Sequence, residues 1–148
     1  MKIEITNLTE IDCEQSRIES VAEHAMNSVG LHPDCELSIS LVDEIEMSNL
    51  HQRWMDEPGA TDVLSFPMDE IKPNSAIDGP GMLGDVILCP EFAAQQAKQA
   101  GNNLQDELEL LTIHGILHLV GYDHREADEK KVMFELQDRL LVEWRATQ

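Results

Sequence analysis

His114-Gly115-Ile116-Leu117-His118-Leu119-Val120-Gly121-Tyr122-Asp123-His124 is the stretch on which the reading of this chain turns. It closes the most strongly helical segment of the sequence, which opens at Asn103, runs to about Val120 and is stopped by Gly121. His114 and His118 stand four apart, so a helix stacks both imidazoles on one face with Cβ atoms about 6 Å apart. Gly121 can take the left-handed conformation that ends a helix, and the chain can then turn back to present His124 as a third ring. Three neutral imidazoles converging on one point form a metal-ligand set. They suit one zinc ion, with another divalent metal as the alternative, and leave a fourth tetrahedral position open. Structural zinc is normally closed by four protein ligands, so this pattern predicts a catalytic centre. A single histidine on an apolar helix is usually a packed, hydrogen-bonded residue; three at ligand spacing around a glycine break are hard to assign to packing. His24, His32 and His51 have no such company and are read as ordinary histidines.

The flanking sequence predicts the frame that carries this helix. Lys2–Asn7 and Glu36–Val42 alternate apolar and polar residues and read as strands, the second with Leu37, Ile39 and Leu41 on one face. Glu14–Val29 has helical apolar spacing and stops at Gly30. Asp43 is an N-cap for a helix to about Arg53 or Trp54, with Glu46 placed to make a capping box. Asp56–Ala60 is a turn, Thr61–Pro67 a strand, Met68–Met82 a surface loop and Gly84–Cys89 a short apolar strand. Pro90 opens a helix that ends near Gly101. Glu126–Arg145 is a final amphipathic helix, with Val132, Met133, Leu136, Leu140 and Val142 or Leu141 as core positions. Strands and helices mix without regular alternation, which predicts an α+β fold rather than a doubly wound sheet, in one domain over residues 1–148.

Composition sets the limits on function. The 42% apolar share is enough for a core without disulfides, and Cys13, Cys35 and Cys89 read as free, mostly buried thiols in a reducing compartment. No apolar signal segment opens the chain and no run approaches the ~20 apolar residues that span a bilayer. The expectation is a soluble, cytoplasmic protein with no membrane partner. The net charge of −19, from 29 acidic and 10 basic residues, opposes general nucleic-acid binding. Any contact with RNA must be confined to a local positive site.

The histidine spacing repeats that of the metzincin proteases, His-Glu-x-x-His-x-x-Gly-x-x-His, except that Gly115 stands where they keep a general-base glutamate. The metal cage is present and the peptidase base is not. The same run resembles the signature of the YbeY family of bacterial single-strand-specific endoribonucleases. Two further blocks match in the family's order: Thr61-Asp62-Val63-Leu64-Ser65-Phe66-Pro67 and Leu83-Gly84-Asp85-Val86-Ile87. The resemblance implies an α+β fold with a small mixed sheet packed with several helices, and a metal held by His114, His118 and His124. It also implies action on single-stranded RNA in the maturation of the small-subunit ribosomal RNA 3′ end and in ribosome quality control. By the same resemblance, the partners are a small-subunit ribosomal protein and a ribosome-assembly GTPase. The family carries an arginine shortly before the Thr-Asp-Val block, and Arg53 is the residue here that fits.

On this reading Arg53 would clamp a phosphate bidentately. Asp85 could orient water or a ligand histidine, and Asp123 could support His124 from behind. Each aspartate is equally readable as a turn or capping residue. Ser65 is read as structural, and Trp54 as a base-stacking or buried side chain. Two other functions stay open: a metal-dependent hydrolase of a non-RNA substrate such as a peptide, and a non-catalytic ribosome assembly factor whose metal only holds the fold.

Overall fold

Period-two alternation makes the strands and 3.6-residue spacing the helices. The computed structural model describes residues 1–57 and 59–148. Its strands are β1 (Lys2–Asn7), β2 (Glu36–Leu41), β3 (Val63–Pro67) and β4 (Met82–Leu88), in the order β1-β2-β4-β3. β1, β2 and β4 run parallel; β3 lies antiparallel to β4 and forms an edge. The helices among the described residues are α1 (Gln15–Ser28), α2 (Glu44–Met55), α3 (Pro90–Ala100), α4 (Leu104–Leu119) and α5 (Ala127–Arg145). This is the α+β class that the pattern predicted, with the small mixed sheet that the resemblance implied. Asp43 caps α2 by accepting the Glu46 N–H at 2.8 Å.

Leu37, Ile39, Leu41, Val86 and Leu88 share one sheet face and are buried in the main core with residues of α1, α4 and α5. On the opposite face α2 covers only the β3–β4 side, where Met47 packs with Leu64, Phe66 and Ile87. α4 is the central helix, and between Leu111 and Val120 only His114 and His118 escape full burial. A helix apolar on nearly every side must be enclosed, so its two exceptions mark an opening.

One charge is enclosed with it. Glu109 is fully buried, and its carboxylate accepts from Arg17 Nε at 2.8 Å and Gln105 Nε2 at 3.0 Å, with Arg145 Nη2 at 3.6 Å. The Arg17 guanidinium also lies 4.8 Å from the centre of the Trp144 ring. This pins α1 and α5 to α4. Removing one partner of a buried pair strands the other charge, so Arg17→Met should cost about 3 kcal/mol in urea unfolding. A loss below about 0.5 kcal/mol, the range of an exposed pair, would contradict the pinning.

Three expectations are corrected. The surface loop ends earlier than Met82, because Met68 and Asp69 donate to Leu83 and Met82 and β4 begins at Met82. A short 3₁₀ turn, Ala76–Asp78, interrupts it. In α5 the buried stripe is Met133, Gln137, Leu140, Leu141 and Trp144, whereas Val132 and Val142 are 56% and 68% exposed. The helix is rotated so that a glutamine takes a core position, a register that apolar count alone misplaces. Of the expected Asp56–Ala60 turn, Pro58 lies outside the described residues; Asp56, at φ +53°, closes α2.

Candidate metal centre

The turn that delivers His124 is built locally. Gly121 has φ +106°, and the Tyr122 and Gly121 N–H groups donate to the Leu117 and His118 carbonyls at 3.0 and 3.1 Å. These two bonds close the helix end in a Schellman motif. The Asp123 carboxylate then accepts the His124 N–H at 2.7 Å and pairs with Arg125 at 3.2 Å. Asp123 thus shapes the turn and is seen to bond no imidazole.

The outcome is a cluster in which the ligand atoms of His114, His118 and His124 all lie within 4.8 Å of one another. The ring centres are 4.7, 5.5 and 5.1 Å apart. Among the described residues no other His, Cys, Asp or Glu group converges in this way. Burial lowers the pKa of His114, against the opposing pull of its Gln137 hydrogen bond. Burial, reinforced by the neighbouring histidines, brings His118 down to about 4. Both rings are therefore neutral at pH 7 and their lone pairs free to ligate, so the donor set fits a divalent cation.

α5 fixes the first of these rings. His114 Nδ1 stands 2.7 Å from Gln137 Oε1, which can only accept, so the proton sits on Nδ1 and Nε2 is left as the ligand atom. One turn earlier, Phe134 lies 5.9 Å from the His114 ring and 6.0 Å from the His124 ring, with the Lys130 ammonium 5.6 Å from its own ring centre. Neither residue was found by sequence reading. The available signal was a polar residue, Gln137, on the apolar stripe of α5. Partners that orient a ligand histidine are typically worth 10- to 100-fold in metal affinity. Gln137→Leu keeps the volume and should weaken zinc binding by about 10-fold or more in a chelator-competition titration. An unchanged affinity would remove Gln137 from the site.

The opposite wall is the edge strand. Met55, Thr61 through Ser65 and the three histidines enclose a cavity of about 370 Å³. Asp62, passed over by sequence reading, accepts the Val63 N–H at 2.8 Å and the Thr61 hydroxyl at 3.3 Å through one oxygen. Ser65 is structural as expected: its hydroxyl donates to the Gly115 carbonyl at 2.9 Å. That contact explains the glycine. A Cβ at Gly115 would come within 2.8 Å of Val86 Cγ1 and 3.2 Å of Ser65 Oγ, so α4 lies directly on β3 and β4. A protease-like glutamate has no room at this position.

Arg53 and Asp85 are not brought into this cavity. α2 contributes Met55 to the wall, while Arg53 is exposed two residues earlier. Asp85 pairs with Phe66 across the β3–β4 ladder, whereas Ser65 and Val86 face α4. By strand alternation Asp85 belongs to the other sheet face. Trp54 is 62% exposed and meets Phe66 edge-on at 6.4 Å, so it is not buried. His24, His32 and His51 stand apart from the cluster, near Ser28 and Glu143 of α5, the Asp34 N–H, and Gly59 and Glu57 respectively.

Comparison with known proteins gives a consistent result. The family model described as Endoribonuclease YbeY matches residues 3–145. Curated relatives named Endoribonuclease YbeY from Mycobacterium ulcerans and Mycobacterium tuberculosis are each 55% identical over 152 residues, covering 100% of this chain and 85% and 86% of their own length. One from Acidothermus cellulolyticus is also 55% identical, over 99% of this chain and 93% of its own. The solution structure of a Thermotoga maritima protein superposes with a TM-score of 0.64 at 29% identity, covering 98% of this chain and 93% of that one.

Proposed function

The chain belongs to the YbeY family of endoribonucleases, and from that premise we propose that it cleaves single-stranded RNA at a zinc ion held by His114, His118 and His124. It is a metal-dependent hydrolase of RNA phosphodiesters. The proposed setting is maturation of the small-subunit ribosomal RNA 3′ end and ribosome quality control. One observation carries the reading: three imidazole donors converge in a cavity beside an open strand edge, with a glycine where a peptidase keeps its base.

Zinc bound there would activate water and neutralise charge on a phosphoryl oxygen. The protein's own part is positional and electrostatic. Gln137 holds His114 in the ligating tautomer. Asp62 Oδ1 is committed to Val63 and Thr61, so Oδ2 is the oxygen left to orient water or accept a proton in the cavity. Arg53, on the exposed side of α2, meets a phosphate of the strand outside the cavity. The local cations answer the acidic composition: Arg53, Lys72 and Lys130 stand on the segments that frame the histidines, while Arg17 and Arg145 are engaged with Glu109 and Arg125 with Asp123.

On the same reading residues 1–148 act as one domain, in the cytoplasm, beside a small-subunit ribosomal protein and a ribosome-assembly GTPase. No described helix is long and apolar enough to cross a membrane.

The test pairs single-stranded RNA with peptide substrates, using zinc-loaded and chelated protein. RNA should be cut only by the loaded form, with activity restored by added zinc. Peptide turnover with RNA left intact would overturn the reading. Arg53→Ala should raise KM for RNA by about fivefold, the worth of a charge-assisted phosphate contact, and leave zinc content unchanged. An unaltered KM would remove Arg53 from the scheme.

A further inference from the structure

We propose that the cavity on the far side of His118 is a subsite for one unstacked nucleobase of the RNA strand. This rests on the endoribonuclease reading and adds where the strand lies. The cavity measures about 560 Å³. Its apolar walls are Pro67, Met68, Ile71 and Pro73, where the chain leaves β3, and Leu119 and Val120 at the end of α4. His118 lines this cavity and the metal cavity alike, so the two hollows adjoin at a residue of the histidine cluster. A strand whose phosphate sits among the three histidines therefore has this hollow beside its neighbouring nucleotide.

The wall chemistry selects the occupant. Flat apolar surface suits the face of a base and repels a phosphate. Met68 is 63% exposed, a large apolar side chain lacking cover, and thioethers contact aromatic rings favourably. Lys72 is exposed on the cavity rim and can meet the phosphate that follows the base. Of the two acidic residues at the rim, Asp69 is turned to the Met82 N–H at 2.8 Å and Glu70 is exposed close to Lys72 in the chain. An extended peptide fits less well. Prolines at 67 and 73 offer no N–H to a paired strand.

A base in an A-form duplex is stacked and paired, and cannot enter such a hollow. Preference for single strands then follows from the shape of this site.

The test uses Met68→Ala, a substitution at an exposed side chain whose backbone bond to Leu83 is retained. Binding of a labelled single-stranded RNA is read by anisotropy on zinc-loaded and chelated protein, and cleavage by KM and kcat. An abasic nucleotide is walked along the RNA. In the wild type one abasic position should weaken binding by about tenfold while the others have little effect. Met68→Ala should raise Kd and KM by about fivefold with kcat unchanged, and should be insensitive to that same position. Duplex RNA should bind at least about tenfold more weakly than the single strand. A flat abasic scan, an unchanged Kd in Met68→Ala, or equal binding of duplex would each overturn the subsite. Position-specific RNA binding without cleavage would sink the endoribonuclease reading and leave the subsite standing; cleavage with a flat scan does the reverse.

Discussion

His118→Ala should yield folded protein that retains no stoichiometric zinc and cleaves single-stranded RNA at least about a thousandfold more slowly. His118 is the middle ligand of the cluster, on the last turn of α4, with ring centres 4.7 and 5.1 Å from His114 and His124. Two imidazoles do not make a three-histidine site, and the several kcal/mol of charge stabilisation that a metal supplies would go with it. The fold should survive, because the ring is only half-buried and the Schellman closure below it uses backbone groups. Elemental analysis of untagged protein and a cleavage time course decide this together. Wild-type rates in a zinc-free variant would show that the three-histidine site is not where RNA is cut. Global unfolding of the variant would instead make the metal a structural one, the assembly-factor alternative.

Gly84→Ala should be the most destabilising single methyl that can be added to the sheet. Gly84 has φ +145°, in the region where side chains are not tolerated, and the β2–β4 register shifts beside it. A Cβ there would run into the Phe66 carbonyl oxygen and stand 2.9 Å from Pro67 Cα and 3.1 Å from Leu119 Cδ2. Two of those atoms are backbone of β3, so the strand must move away from β4. Strain of about 1–3 kcal/mol and overpacking of similar size add to about 4 kcal/mol, a Tm drop of about 10 °C. A change under about 3 °C would mean that the sheet yields there. Because β3 is also the cavity wall, the same variant should lose cleavage more than zinc.

The legible parts of the protein were those set by backbone geometry over a few residues. The His114–His118 spacing, the Gly121 helix end, the Asp43 cap and the alternation of β2 each depend on a local periodicity that any reader of the sequence can count. The three histidines were therefore legible as a converging group, and the lack of a peptidase base at position 115 was visible as a letter. The steric reason for that glycine was not, because Val86 and Ser65 approach it from two strands distant in sequence. Val132 and Val142 looked like core because they are apolar; the docking angle of α5 on α4 left them in solvent and buried Gln137 instead.

By itself, then, the sequence determined an α+β chain with three imidazoles aimed at one point and a glycine in place of the protease acid. Only the tertiary structure decided what surrounds them: Gln137 behind His114, Phe134 beside two of the rings, Asp62 in the cavity, Arg53 outside it and Asp85 on the far face of the sheet. Helical and strand periods are fixed by dihedral angles within a turn or two. Which distant side chains then meet depends on how helices settle onto a sheet, a sum of many small packing terms that no single stretch of sequence carries.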